Sequence, residues 1–384
     1  MTSKTGPAYR TWLEISEGAL AHNLQVLQSF CDKKTTLIAV VKANAYGHGI
    51  EEIVRILLRH GVTHFGVDSI EEAERVRALS SSSTIVVLGY IPLFHLSRVL
   101  DLRVEPTLYD REHLDELERL AATRAQKVRI HLKVDTGTTR QGVPPEDVPR
   151  FIERIKLSPH LLCVGMSTHF SHAEHLARTN ITIAQMRLFY DTVGSVADGL
   201  PDLTHVHCAC SAAILAHPDT HATSIRPGLA LYGLWPSEDV ETLIRGKGES
   251  LHLKPVLSWR SRVAAVRDVL PGTAVGYGGR EVVNRRTRIA VVPVGYYDGY
   301  DRLLSGHGQV LINGQRAKVL GTICMNMMMV DASDVANVAL EDVVTLLGHD
   351  GAHVVSAADL AKKAQTIPWE ILARISPVLP RIIV

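Results

Sequence analysis

Lys42 is the residue of this sequence whose position says most about chemistry. An apolar run, residues 37–41, ends on it. The small-residue turn Ala43-Asn44-Ala45-Tyr46-Gly47-His48-Gly49 follows, and Ile53 to Leu57 then have helical spacing. This pattern predicts a buried strand, a loop and a helix, with one ammonium group at the strand's C-terminal end. Low-dielectric core beside that position favours the neutral, nucleophilic amine; the plainer alternative is a lysine that snorkels to water. The ends of later strand-like runs carry more chemistry. Tyr46 follows the first run, Lys133, Asp135 and Arg140 the fifth, His169 the sixth, Ser211 the seventh, and Arg226 with Gly228 the eighth. In α/β barrels the reacting groups sit at those strand ends. One lysine, two arginines, a histidine and a set of hydroxyl and amide donors suit a phosphorylated aldehyde cofactor held as a Schiff base. Pyridoxal 5'-phosphate is the candidate.

The elements that must position these residues are eight strand candidates. They lie at residues 37–41, 63–67, 84–88, 103–106, 128–134, 162–167, 205–209 and 222–225, with helical periodicity at 19–30, 70–79, 111–123, 148–155 and 185–197. Strands alternating with helices predict the α/β class, a (β/α)8 TIM-type barrel over residues 1–245, with an open doubly wound sheet as the alternative. A short strand at 12–15 precedes them. Pro236, Ser237, Glu238, Asp239 and Gly246-Lys247-Gly248 then mark a boundary. Beyond it, β-type runs at 263–269, 287–294, 310–312, 318–320, 327–330 and 343–347 predict a mostly β domain over 246–384. Asn313-Gly314 within it is a hairpin signal.

With 384 residues, 46% of them hydrophobic and 21% charged, the chain can bury a large core. A formal net charge of +1 gives no electrostatic pull toward nucleic acid or an anionic membrane. No apolar run is long enough to span a bilayer, and residues 1–10 lack an apolar signal core. The five cysteines show no Cys-x-x-Cys spacing. A cytoplasmic protein with reduced thiols is expected.

The sequence also resembles the alanine racemase family. Lys42-Ala43-Asn44-Ala45-Tyr46-Gly47-His48-Gly49 is similar to that family's cofactor-attachment signature. The resemblance continues through Lys133-Val134-Asp135-Thr136-Gly137 with Arg140, Ser167-Thr168-His169-Phe170, Ser211-Ala212-Ala213 and Arg226-Pro227-Gly228. It extends through Gly276-Tyr277-Gly278, Gly295-Tyr296 with Asp298-Gly299, and Cys324-Met325-Asn326. It implies a pyridoxal-phosphate barrel followed by a β domain, acting as a homodimer with shared active sites. By the same resemblance, Lys42 binds the cofactor and is the base on one face of Cα, and Tyr277 of the partner subunit is the base on the other. Arg226 sits beside the pyridine nitrogen with His169 supporting it, and Arg140 beside the phenolic oxygen. Tyr46, Ser211, Gly228 and Leu229 hold the phosphate. Arg140, with Tyr296, Met325 and Asn326 supplied by the other subunit, meets the substrate. Lys133 corresponds to a lysine that can be carbamylated. The implied reaction is racemisation of alanine, supplying D-alanine for peptidoglycan. The rivals are a racemase of larger amino acids such as serine, lysine or arginine, and a non-catalytic pyridoxal-phosphate carrier.

The chain departs from the family pattern at Asn326, where Asp is common, at Cys210, where Asn is usual, at Thr138, and near Pro377, where a phosphate-contacting tyrosine is often found. His169, His172 and His175, and the pair His205 and His207, have spacing that zinc could use. No acidic or cysteine-rich partner set completes a site, and no metal is expected.

Overall fold

The computed structural model describes residues 7–384; the polar start, residues 1–6, lies outside the described residues. The chain divides into two compact units. One comprises Gly18–Ala45 and Ile53–Lys254. The other comprises the stretch ending at Glu17, Tyr46–Glu52 and Pro255–Val384. No helix of the described residues is long and apolar enough to cross a membrane.

The first unit is built on eight parallel strands: β2 (Thr36–Val40), β3 (His64–Val67), β4 (Thr84–Val87), β5 (Glu105–Leu108), β6 (Val128–Lys133), β7 (Leu161–Ser167), β8 (His205–His207) and β9 (Ser224–Ile225). They follow one another around the sheet in the order β8-β7-β6-β5-β4-β3-β2-β9. The ring closes between β8 and β9 through a Cys210–Arg226 bridge and a bond from the Val206 amide to the Thr223 hydroxyl, 2.7 Å. Each strand falls within two residues of its expected start, because strands buried on both faces read as continuous apolar runs. The helices Ile70–Leu79 and Arg111–Thr123 start where the sequence places them. Ser69 and Asp110 cap them by accepting bonds from the amides of Glu72 and His113. The unit is the expected α/β barrel.

The second unit is mostly β. Its strands are β1 (Thr11–Ile15), β10 (Leu257–Arg262), β11 (Ala265–Val269), β12 (Ala274–Val275), β13 (Glu281–Val282), β14 (Thr287–Val292), β15 (Gln309–Ile312), β16 (Gln315–Leu320), β17 (Met328–Asp331), β18 (Val343–Asp350), β19 (His353–Val355) and β20 (Arg381–Ile383). Its main sheet runs β11-β14-β17-β16-β15-β18-β10-β1-β20. Asn313 and Gly314 form the expected hairpin turn between β15 and β16, both with positive φ (50° and 73°).

Strand β1 departs from the division at residue 245. It pairs antiparallel with β10 and parallel with β20, so Thr11–Ile15 lie in the sheet of the second unit. Trp12, Leu13 and Ile15 are buried there. A five-residue strand carries no mark of which distant strands it will join.

Candidate active site

Lys42 stands two residues beyond the end of β2, as the first residue of a turn with an unusual backbone. Ala43, Asn44, Ala45 and Tyr46 have φ of 53°, 54°, 54° and 52°, a left-handed helical turn made without glycine. Such a conformation costs roughly 1–2 kcal/mol per residue, so it persists only where the surroundings impose it. Glu72 supplies much of that constraint. One carboxylate oxygen accepts the Ala43 amide at 2.6 Å and the Asn44 amide at 3.4 Å, and the other accepts the Asp68 amide at 2.8 Å. Arg75 donates to the Asn44 side chain at 2.9 Å. The turn after β2 and the loop after β3 are thus tied to one carboxylate.

The Lys42 ammonium lies 3.2 Å from Asp68, with the two side chains 40% and 56% exposed. Lys42 is therefore an ion-paired lysine at an open mouth, not one pressed against low-dielectric core, because the turn carries it past the strand's buried end. Tyr46 closes the turn, and its carbonyl lies 3.1 Å from His48 Nδ1.

Lys133 ends β6 and is buried, with its Nζ donating to Gln141 at 3.3 Å. Burial, together with the nearby charges of Arg226, Arg140 and Lys42, pushes its pKa down to about 8. Arg140 is exposed on the loop that follows. Asp135 organises that loop by accepting the amides of Gly137, Thr138 and Thr139. His169 follows β7. Burial first, then Arg226, Arg140, Lys133 and Lys42, push its pKa down to about 3, so its imidazole is neutral at pH 7.

Arg226, just past β9, is buried and held from several sides. It donates to His207 Nδ1 at 2.6 Å, to the Thr168 carbonyl at 2.7 Å, and to the carbonyls of His207 and Cys208. The imidazole bonded to Arg226 is thus His207, where the sequence pointed to His169. The signal was present: His205 and His207 stand two residues apart on one strand and so share its buried face. Ser211 is buried at the start of helix Ser211–Ala216, and its hydroxyl accepts the amides of Gly228 (3.0 Å) and Ala230 (3.1 Å). Gly228 and Leu229 open the turn Leu229–Tyr232. Lys42, Lys133, Arg140, His169, Ser211, Arg226 and Gly228 all follow strand C-termini of one barrel, and most couple electrostatically.

The remaining candidates lie together in the second unit. Tyr277 starts a short turn between β12 and β13, is 75% exposed, and offers its carbonyl to Thr322 Oγ1 at 3.3 Å. Tyr296 and Tyr297 donate their amides to the carbonyls of Cys324 and Met325 at 3.1 and 3.0 Å. Gly295 permits this approach, since a Cβ there would stand 2.1 Å from the Cys324 carbonyl oxygen. Asn326 adjoins Met325 on the same segment. Among the described residues, no group of three or more His, Cys, Asp or Glu side chains is set to hold a metal ion.

Two domain models match the sequence: the alanine racemase N-terminal domain over residues 15–236, and the alanine racemase C-terminal domain over residues 256–383. The chain belongs to the alanine racemase family. An alanine racemase of Leptospira interrogans serogroup Icterohaemorrhagiae serovar Lai is 34% identical over 385 residues, covering 100% of this chain and 98% of the relative. One from Geobacter sp. is 38% identical, covering 95% of this chain and 96% of the relative. The solved alanine racemase of Clostridium difficile 630 superposes with a TM-score of 0.91 at 30% identity, covering 99% of this chain and 97% of that one. Within the alanine racemase fold, sequence reading passed over Asp68 and Glu72, and weighed His207 only as a zinc spacing. Asp68 and Glu72 sit on a loop and on a helix whose acidic first turn looks like ordinary capping.

Proposed function

We propose that this chain interconverts L- and D-alanine using pyridoxal 5'-phosphate. The observation that carries the reading is the convergence of Lys42, Lys133, Arg140 and Arg226 on one barrel mouth, in a chain of the alanine racemase family. Four cations raise one another's electrostatic cost, and a ligand bearing a phosphate and a phenolate relieves it. The donor set fits that ligand: a primary amine for its aldehyde, Tyr46, Ser211, Gly228 and Leu229 for its phosphate, Arg140 for its phenolic oxygen, and Arg226 for its ring nitrogen. When bound, the cofactor supplies an electron-withdrawing ring conjugated to the substrate nitrogen, which acidifies the Cα proton.

This chain's residues then divide the proton transfers. The Lys42 amine takes or returns the Cα proton on one face, and the Tyr277 phenol of the partner subunit serves the other. Inversion needs two such groups, since one base would return the proton to the face it left. Arg226 keeps its own proton and donates a hydrogen bond, so the ring nitrogen beside it stays unprotonated. That moderates electron withdrawal and disfavours side reactions such as transamination. Arg140, together with the partner subunit's Tyr296, the partner's Met325 and the partner's Asn326, shapes the pocket and meets the substrate carboxylate. The depressed pKa of Lys133 leaves a usable fraction of neutral amine at physiological pH, which is the form carbon dioxide carbamylates. A carbamate there would give Arg140 an anionic partner. The reading includes a homodimer with shared sites, a cytoplasmic location, and D-alanine supplied to peptidoglycan.

Incubating the cofactor-loaded protein with L-alanine in heavy water, followed by chiral chromatography with mass detection, tests the reading. D-alanine carrying deuterium at Cα is expected. Deuterium in L-alanine without D-product would remove the second base. No exchange with alanine, but exchange with serine, lysine or arginine, would move the substrate; no exchange with any would leave a carrier.

A further inference from the structure

We propose that Glu105, His131 and His207 form a tautomer lock inside the barrel that positions Arg226 and holds it as a donor-only cation at the mouth. The inference rests on the proposed reading only for its consequence at the cofactor ring.

The interior of such a barrel is ordinarily packed with branched apolar side chains. Here one line of it is polar. Arg226 donates to His207 Nδ1 at 2.6 Å, His207 Nε2 lies 2.8 Å from His131 Nδ1, and His131 Nε2 lies 2.7 Å from Glu105 Oε2. Glu105, His131, His207 and Arg226 are all buried. Gly165 on β7 leaves room for the His131 ring, since a Cβ there would stand 2.0 Å from His131 Nδ1. The other oxygen of Glu105 accepts from Arg129, whose side chain is half exposed.

These contacts allow one arrangement of protons. Arginine has no acceptor, so His207 Nδ1 must accept. Its proton then sits on Nε2 and is donated to His131 Nδ1. His131 in turn must carry its proton on Nε2, donating it to Glu105. Burial would raise the Glu105 pKa, but the bonds it accepts from His131 and Arg129 and the charge of Arg129 prevail and hold it below the usual carboxylate range. The carboxylate end is therefore an acceptor at every physiological pH. Burial and then the Arg226 charge keep His207 neutral. Neither end exchanges a proton, so the line fixes tautomers and does not conduct.

The arrangement also explains how Arg226 keeps its field. A carboxylate in direct contact would orient the guanidinium and largely neutralise it. Two neutral imidazoles between Arg226 and Glu105 supply direction and leave the positive charge facing the mouth. The other acceptors of Arg226 among the described residues are backbone carbonyls, which orient it without cancelling its charge.

Glu105→Gln tests this in either amide orientation. If its carbonyl faces His131, its amide meets the Arg129 guanidinium donor to donor. If its amide faces His131, both histidine tautomers reverse, and His207 Nδ1–H opposes Arg226. Histidine tautomers can be read by long-range ¹H–¹⁵N NMR on cofactor-free protein labelled at histidine, with His131→Asn used for assignment. In the unsubstituted protein both His131 and His207 are expected as Nε2–H forms; His131 found as Nδ1–H or doubly protonated overturns the lock, whether or not any variant folds. In Glu105→Gln the tautomers are expected to mix or reverse. In the loaded enzyme the ratio of racemisation to transamination is expected to fall about tenfold, the scale of one lost bond to a buried charge, and Glu105→Asp to restore most of it. Tautomers and ratio both unchanged in Glu105→Gln overturn the proposal. Because tautomers are read without cofactor or substrate, a protein with the expected tautomers and no racemisation defeats the functional reading alone.

Discussion

The two units hold their chemistry in opposite ways. In the barrel, Arg226 is buried and bonded to four acceptors, and Lys42 opens a left-handed turn tied down by Glu72. In the second unit, Tyr277 is three-quarters exposed and is anchored through its backbone carbonyl. On the proposed reading, the groups that hold the cofactor are built into packed structure, and the group that serves a neighbouring subunit is displayed on a short turn. Rigidity and display would then be the two halves of the proposed shared site, and substitutions should separate them.

Tyr277→Phe should produce the largest effect. Removing the hydroxyl from a displayed side chain should leave folding and cofactor absorbance intact while lowering D-alanine formation by about 10²–10⁴-fold, the usual scale for a lost general acid–base. Unchanged turnover, measured beside the absorbance spectrum, would remove Tyr277 from the reaction and end the comparison. Glu72→Gln should show the reverse pattern. It leaves an amide of the turn or of Asp68 facing a donor, lowering stability by about 1–2 kcal/mol. Urea unfolding and titration with pyridoxal phosphate should both register it, and an unaffected affinity would mean that the turn holds its shape without this carboxylate.

The smallest effect concerns Lys133. Its pKa is about 8 in the folded chain against 10.5 for an ordinary lysine. Between those values the unfolded chain binds more protons, so Lys133 makes stability rise with pH across that window. Its penalty is fully present below about pH 8. Lys133→Met should flatten that part of the stability–pH curve for the cofactor-free protein kept free of carbon dioxide. An unchanged slope would assign it to other groups.

Much of the barrel was legible because its strands are continuous apolar runs and its helices have a 3.6-residue period and capped starts, as at Ser69 and Asp110. The second sheet was less so. Leu257–Arg262 alternates buried and half-exposed residues with charged and polar types, which hides a central strand, and β1 is placed by partners hundreds of residues away. The family resemblance supplied most of the candidate site by motif. It did not reveal the left-handed turn, since Ala-Asn-Ala-Tyr has no glycine to announce positive φ. Nor did it reveal Glu105 and His131, which look like ordinary strand residues until the barrel closes them onto His207.

The pairing of β1 with β10 also bears on synthesis. Thr11 lies opposite Ser261 and Ile15 opposite Leu257, so β1 leaves the ribosome about 240 residues before its neighbour. At 5–20 residues per second that is a wait of roughly ten to fifty seconds. During it Trp12, Leu13 and Ile15 have no strand to cover them, although the barrel residues are emerging. The nascent chain therefore keeps these apolar side chains without their strand partner until its last third arrives.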